Sequence, residues 1–186
     1  MELPDRELLE RLARGDREAL SPLMERHYRR IYRIALSYLR DADEALDCAQ
    51  DTFVKAFQNA GRWDPTSAVG AWLTRIAVND AIDRYRRRKR RNASFTPLEP
   101  TDHDASMSDH RPSPEKQVRS RELSEGIQAA VLSLPEKQRA VFCLRHYDER
   151  SLREIAEILG MNLGTVKSSL FRAIQQLREH LQGITA

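Results

Sequence analysis

The sequence contains few of the residues that would support a sheet, a disulfide framework or a membrane span. Only seven glycines occur among 186 residues, and clusters of β-branched residues are rare, so helix is favoured over sheet. The two cysteines, Cys48 and Cys143, lie in different predicted helices, which favours two free thiols in a reducing cytoplasm. No apolar run approaches the roughly 18 residues that a membrane crossing needs, and the charged start predicts no secretory signal.

The sequence also lacks a recognisable set of residues for bond-making chemistry. His27 falls on the apolar side of its predicted helix, where a hydrogen-bonded core histidine is expected rather than a metal ligand. No other histidine lies near a cysteine at a spacing typical of zinc sites, and no glycine-rich phosphate loop occurs. We therefore predict a protein that is not an enzyme, with no catalytic residues, no metal and no cofactor.

The chain does contain apolar spacing typical of amphipathic helices. Hydrophobic residues make up 40% of the sequence and charged residues 32%, which suffices for packed cores and leaves a highly charged surface. Helical periodicity predicts a short helix opened by Asp5, one over 16–40, one over 43–59, and one from Ser67 into the basic run at 84–91. The third of these is expected to bury four side chains: Leu46, Ala49, Phe53 and Phe57.

A segment of different composition, residues 92–120, follows these helices. It holds four of the eight prolines, many Ser, Asp and Thr residues, and hardly any large apolar side chains, which is typical of a linker. As a flexible coil, its ends would lie about 30 Å apart on average. We therefore predict an all-α protein with two small helical domains, 1–91 and 121–186, joined by this linker.

The second domain ends in a helix-turn-helix pattern over 151–177. Ser151 and Glu154 form a capping box directly before an apolar run. Gly160 permits a left-handed turn, and Asn162 is a good cap for the second helix. On that helix, short polar and basic side chains are expected opposite the apolar face, at Thr165, Lys167, Ser168, Ser169 and Arg172. This arrangement favours DNA reading over the alternative of an ordinary helical corner with a solvated outer face.

The first domain carries seven basic residues in the eight positions 84–91. Such a charge run is often only a solvated surface, and nucleic-acid contact is the alternative. Trp63, in the preceding loop, is expected to be exposed beside this basic flank, although it could equally plug the underside of the domain. An aromatic ring beside cations suits single-stranded DNA, because bases stack on the ring while the cations follow the phosphates.

The third helix has an acidic strip opposite its apolar face, made of Glu44, Asp47 and Asp51 and extended by Lys55. Such a strip repels DNA, so a functional role would require a protein partner. The other interpretation is a solvated face with a minor Asp51–Lys55 pair within the helix. On the residues alone, the solvated face is favoured.

Four segments, in order, make the sequence resemble the bacterial extracytoplasmic-function sigma factors, the smallest members of the sigma-70 family. They read ALDCAQDTFVKAF, AWLTRIAVNDAIDRYRRRKRR, LPEKQRAVFCLRHY and EIAEILGMNLGTVKSSLFRA. The resemblance covers nearly everything outside the linker, and four ordered segments are far more specific than a lone helix-turn-helix. Ser169 is a departure, because many relatives carry Arg there, and it leaves the −35 preference open.

The resemblance implies a partner for each surface of the first domain. The third helix would bind the clamp helices of the largest subunit of RNA polymerase, through Asp47, Gln50, Asp51 and Lys55. The Trp63 loop and the fourth helix would capture melted, single-stranded −10 DNA and hold its backbone. The residues expected in that role are Trp63, Arg75, Asn79, Arg84, Arg86, Arg87 and Arg90.

For the second domain, the resemblance implies that the helix-turn-helix reads the double-stranded −35 element. The rest of this domain would dock on the flap of the second-largest polymerase subunit. An anti-sigma factor, often membrane-anchored in this group, is a further expected partner. No direct membrane insertion of the chain itself is expected.

Two other functions compete with this interpretation. A stand-alone helix-turn-helix regulator would bind duplex sites without polymerase and would need no single-strand pocket. An RNA-processing or nucleotide-transferring enzyme would need convergent carboxylates for Mg²⁺, whereas Glu44, Asp47 and Asp51 are expected to point away from the basic stripe. We therefore prefer a sigma factor that acts by binding energy alone and leaves catalysis to the polymerase.

Overall fold

A computed structural model describes residues 3–94 and 126–185, and all regular structure within these ranges is helical. The helices are α1 (Asp5–Ala13), α2 (Leu20–Leu39), α3 (Ala42–Asn59), α4 (Val69–Ser94), α5 (126–133), α6 (Glu136–His146), α7 (Leu152–Leu159) and α8 (Leu163–Thr185). The predicted all-α class is confirmed. The predicted linker, 92–120, lies outside the described residues except for its first three positions, which continue α4.

Helices α1 to α4 form the first domain. The leucines at positions 8, 9 and 12 of α1 are buried, and Gly15 turns the chain after α1 with a φ of 92°. Asp16 does not cap α2 directly; its carboxylate accepts a hydrogen bond from Glu18 N and caps the short 3-10 turn Arg17–Ala19 that precedes α2. Pro22 lies in the first turn of α2, where its missing N–H is not needed for a hydrogen bond within the helix.

The face that α3 buries differs from the predicted one at Leu46. The inward stripe follows the small residues Ala45, Cys48, Ala49 and Ala56 together with Phe53. Because successive residues turn by 100° around a helix, the residue after Ala45 falls beside this stripe rather than on it. Leu46 is 42% exposed, and the prediction that it is buried is wrong.

The second domain confirms the predicted helix-turn-helix. Glu154 N donates to Ser151 Oγ over 3.3 Å, and Ser151 N donates to Glu154 Oε2 over 2.9 Å, which completes the capping box. Gly160 adopts the left-handed conformation with a φ of 62°. Asn162 Oδ1 then accepts a 2.7 Å hydrogen bond from Thr165 N and caps α8. These three local devices hold α8 at a defined angle to α7.

The two domains pack against each other in the structure. Helices α2 and α4 of the first domain contact α6 and α7 of the second. One continuous apolar core joins Tyr38 and Val78 of the first domain to Leu134 and Val141 of the second. The relative position of α4 and α8 is therefore set by this contact.

Candidate nucleic-acid interface

The outer face of α8 has the short polar and basic character that the sequence predicted. Lys167, Ser168 and Arg172 are exposed, while Thr165 and Ser169 are half-buried. The Thr165 hydroxyl donates to Asn162 Oδ1 over 2.8 Å, and the Ser168 hydroxyl donates to Thr165 O over 3.1 Å. These bonds hold the short side chains close to the helix, so the backbone of α8 can approach the base edges of a major groove.

Phe171 is a candidate contact that the sequence reasoning missed. Its side chain is 67% exposed, although a phenyl ring usually packs into a core. It follows Lys167 and Ser168 by one helical turn and precedes Arg172, so it belongs to the same face. A helical wheel of α8 could have revealed it, since position 171 falls outside the buried stripe. An exposed ring there can contact the methyl group of thymine.

Helix α4 presents Arg75, Asn79, Arg86 and Arg90 along one exposed edge, as the predicted stripe requires. Arg87 is also exposed beside them. Asn79 offers a neutral amide among cations, a combination suited to an unstacked base beside its phosphates. We refer to these five residues as the α4 edge.

Arg84 does not belong to the α4 edge. Its Nε donates to Asp80 Oδ2 over 2.6 Å, and its Nη2 donates to Asp51 on α3. Lys55 donates to the other oxygen of Asp80 rather than pairing with Asp51. The expected Asp51–Lys55 pair is therefore replaced by a network that crosses from α3 to α4, and Arg84, which the resemblance assigned to −10 DNA, is engaged in this network.

Two residues of the acidic strip on α3 contact the basic helix α4. Glu44 accepts a 3.1 Å hydrogen bond from Arg88 Nη1, and Asp51 joins the network around Arg84. Glu44 and Asp51 thus contact Arg88 and Arg84, on a different side of α4 from the α4 edge, because α4 carries cations on several sides and α3 packs along one of them. Of the three acidic residues, Asp47 is exposed, whereas Glu44 and Asp51 are half-buried.

Asp80 is the centre of the α3–α4 network and is 4% exposed. Burial raises the pKa of its carboxyl group, but the hydrogen bonds from Lys55 and Arg84 outweigh burial and hold the pKa below its usual range. The carboxylate is therefore charged at neutral pH and binds two cations. This network fixes the position of α4 relative to α3.

Trp63 is buried, and the expectation that it is exposed is wrong. Its side chain is 7% exposed and packs in the core of the first domain with Val69 and Leu73. The alternative that it plugs the underside of the domain fits this position. Its indole Nε1 is buried and has no hydrogen-bond partner among the described residues. Trp63 therefore shapes the loop before α4 instead of presenting a ring to solvent.

The outer face of α3 carries two exposed apolar side chains among polar ones. Leu46 is 42% exposed and Val54 is 50% exposed, and the exposed residues Asp47 and Gln50 lie between them. We call these four residues the α3 surface. Apolar side chains within a charged, DNA-repelling surface are typical of a protein-binding site.

Metal and membrane sites are not found in the part of the chain that the structure describes. Within 3–94 and 126–185, no group of three or more His, Cys, Asp or Glu residues could hold a metal ion. None of the helices in these two ranges combines the length and the apolar character that a bilayer crossing requires.

Comparison with known proteins gives two family matches that follow the two domains. The sigma-70 region 2 family matches residues 23–91, and the sigma-70 region 4 family matches residues 124–177. The ECF RNA polymerase sigma factor SigW of Bacillus subtilis is 34% identical over 99% of this chain and 100% of its own length. The RNA polymerase sigma-H factor of Pseudomonas aeruginosa is 32% identical over 96% of this chain and 94% of its own.

Solved structures give the same result. CnrH, in complex with the cytosolic domain of CnrY, is 26% identical with a TM-score of 0.68, covering 96% of this chain and 97% of CnrH. RpoE of Bartonella quintana, in complex with the anti-sigma factor NepR, shares the fold at 23% identity and a TM-score of 0.66, covering 87% of this chain and 96% of RpoE. With relatives of matching length and both sigma regions present, the chain belongs to the extracytoplasmic-function group of the sigma-70 family of RNA polymerase sigma factors.

Proposed function

We propose that this chain directs core RNA polymerase to promoters through three separate surfaces. The α3 surface binds the polymerase, the α4 edge holds melted −10 DNA, and the outer face of α8 reads the −35 duplex. The observation that carries the proposal is the different chemistry of these surfaces: apolar and acidic on α3, cationic with one amide on α4, short and polar on α8. The chain supplies binding energy, and catalysis belongs to the polymerase.

Polymerase docking rests on the α3 surface. Leu46 and Val54 supply apolar area that is not buried within the chain, while Asp47 and Gln50 supply polar contacts to the clamp helices of the largest subunit. Asp51 and Lys55, which sequence reasoning also assigned to docking, are engaged with α4, so we assign them to holding α3 in position. The remainder of the second domain docks on the flap of the second-largest subunit.

Binding of −10 DNA rests on the α4 edge, where Arg75, Arg86, Arg87 and Arg90 follow the backbone and Asn79 contacts an unpaired base. Arg84 and Trp63 help to hold α4 in position. Arg84 does so through its hydrogen bond to Asp80, and Trp63 does so by packing in the core of the first domain. Binding of the −35 element rests on five predicted residues and on Phe171: Thr165, Lys167, Ser168, Ser169 and Arg172.

We also propose a cytoplasmic location and an anti-sigma partner. The polymerase acts in the cytoplasm. RpoE of Bartonella quintana was solved with the anti-sigma factor NepR, and CnrH was solved with the cytosolic domain of CnrY. A partner of this kind would regulate the chain by covering the surfaces that polymerase or DNA require.

The test compares Asp47→Lys with the matched control Glu25→Lys, an exposed residue of α2. Because a like charge at a protein interface opposes association, Asp47→Lys should weaken binding to purified core polymerase on the order of tenfold. Run-off transcription from a promoter library should fall in parallel, and Glu25→Lys should change neither. The contrary outcome has two parts: the chain binds promoter duplex without polymerase, and Asp47→Lys leaves transcription unchanged. That outcome would identify a stand-alone regulator.

A further inference from the structure

A cleft of about 1100 Å³ lies between α4 of the first domain and α5 and α6 of the second. Clefts of similar size hold small ligands in other proteins. We call it the α4–α6 cleft. Two carboxylates and five cations line it, and the cations are Arg86, Arg87, Lys89, Arg90 and Arg139. The excess of positive charge suits an anionic ligand.

The two carboxylates of the cleft are already paired with one of these cations. Arg86 binds both oxygens of Glu136, over 2.8 Å and 2.6 Å, and its Nη1 lies 3.6 Å from Asp83 Oδ1. The hydrogen bonds from Arg86 hold the pKa of Glu136 below its usual range. The other four cations form no ion pair with a carboxylate in the part of the chain that the structure describes. Their charge is therefore available to a ligand.

Arg139 is the least exposed of the five cations, at 2%. Its Nη2 donates to the carbonyl oxygens of Leu132 and Leu134, over 2.6 Å and 3.1 Å, and its guanidinium carbon lies 3.7 Å from the ring centre of Tyr85. Its Nε and Nη1 are buried and have no hydrogen-bond partner among the described residues. Carbonyl oxygens and an aromatic face carry no net charge, so the buried positive charge is not neutralised. An anion in the cleft would offset part of the cost of burying it.

Helix α6 begins at the wall of the same cleft. Its N-cap is Pro135, whose side chain makes no capping hydrogen bond, and both Pro135 and Glu136 line the cleft. The first N–H groups of a helix carry a partial positive charge and favour phosphate groups. Lys89 and Arg90, which are exposed, line the cleft from α4. Helices α4 and α6 thus both present positive charge to the same volume.

We propose that the α4–α6 cleft binds a small polyphosphate, either inorganic or carried by a nucleotide. Several phosphate groups in one ligand match several cations around one cleft, whereas a singly charged anion would leave most of those cations unpaired. Arg86, Arg87 and Arg90 also belong to the α4 edge, so a bound polyphosphate competes with single-stranded DNA. This competition rests on the function proposed above for α4, whereas the site itself does not.

Isothermal titration calorimetry of the full chain with sodium tripolyphosphate tests the site. We expect one ligand per chain, and Lys89→Gln should weaken its binding on the order of fivefold because the cleft loses one cation. The matched control Arg91→Gln removes an exposed cation of the same helix that does not line the cleft, and it should leave the affinity unchanged. The absence of binding overturns the proposal. An equal loss in both variants also overturns it, since that result shows general attraction to the basic helix.

Two further titrations, with ATP and with adenosine, identify the source of the phosphate groups. Tighter binding of ATP than of tripolyphosphate indicates a nucleotide ligand, and equal affinity indicates inorganic polyphosphate. Adenosine has no phosphate group and should not bind. Binding of adenosine as tight as that of ATP would show that the assignment to phosphate is wrong.

Competition is tested with a single-stranded oligonucleotide of mixed sequence. Tripolyphosphate should release the strand from the wild type, and a higher concentration should be needed to release it from Lys89→Gln. Retention of the strand by a chain saturated with tripolyphosphate overturns the competition. If the strand does not bind even without tripolyphosphate, the proposed role of α4 fails, and the calorimetry still decides whether the cleft is a polyphosphate site.

Discussion

At the scale of single residues, the structure separates two side chains that sequence reasoning had paired. Asn79 and Trp63 were both expected to capture an unpaired base. Asn79 is exposed on α4, whereas Trp63 is buried in the core. Truncation of the two residues should therefore have different effects: at Asn79 it should weaken the DNA contact, and at Trp63 it should lower the stability of the fold.

We expect Trp63→Ala to lower the free energy of unfolding by about 3–5 kcal/mol, because it leaves a cavity in the core. Asn79→Ala should change that free energy by less than about 0.5 kcal/mol, as an exposed substitution does. It should still impair promoter opening, and a pre-melted template should restore activity. Denaturant unfolding and transcription on the two templates measure these effects. An equal loss on both templates would exclude base capture by Asn79.

At the scale of elements, the stability of α7 depends on its N-terminal cap. The hydrogen bonds from the Ser151 hydroxyl and backbone N–H, together with Arg150, lower the pKa of Glu154 to about 2 from an ordinary value near 4.5. A carboxyl group with a lowered pKa stabilises the folded state above its unfolded pKa. This contribution is therefore complete above about pH 4.5 and is lost as the pH falls towards 2.

We expect Ser151→Ala to cost about 1 kcal/mol of stability, the usual cost of losing a cap. The stability gap between wild type and Glu154→Gln should be present at pH 7 and should narrow as the pH falls below about 4.5. Urea unfolding at several pH values measures both, and Glu157→Gln, on the same helix but outside the cap, is the control. A gap that widens at low pH would contradict the assignment.

At the scale of the whole molecule, the proposed function requires the chain between the two domains to reach from the −10 element to the −35 element. Removing 20 of the residues in 95–125 would leave a connection of at most about 40 Å, shorter than the roughly 85 Å of duplex that separates −35 from −10 at 3.4 Å per base pair. We expect this deletion to keep binding to core polymerase but to lose transcription that depends on both elements. Replacing the deleted residues with a Gly-Ser segment of the same length should restore this transcription, because only the length of the connection is required. Run-off assays on promoters with and without a −35 element report the result, and full activity of the deletion would refute the need for reach.

The elements most accurately anticipated are those specified by neighbouring residues. The capping box at Ser151, the left-handed turn at Gly160 and the apolar spacing of α1 depend on contacts within a few positions, so the sequence pattern is sufficient to place them. The candidate DNA face of α8 followed from the same periodicity. Phe171 was not predicted, because a phenyl ring is expected in a core rather than on an outer face, although helical periodicity places position 171 outside the buried stripe.

The errors concern residues whose surroundings come from distant parts of the chain. Arg84 is one of seven cations in the eight positions 84–91, and only the packing of α3 against one side of α4 selects it for Asp80 and Asp51. Leu46 is exposed because neighbouring helices pack against the small residues beside it. The neighbouring residues of Trp63 are compatible with either an exposed or a buried side chain. Packing in the core of the first domain buries it.

Local sequence patterns were sufficient to predict the helices, the turn between α7 and α8 and the family, because caps and periodicity are local and the family motifs are read in order. Long-range packing established which cations of α4 stay exposed, where Trp63 lies and how the two domains meet. Those outcomes depend on which helix packs against which side of α4, and that choice is made by contacts between residues far apart in the chain.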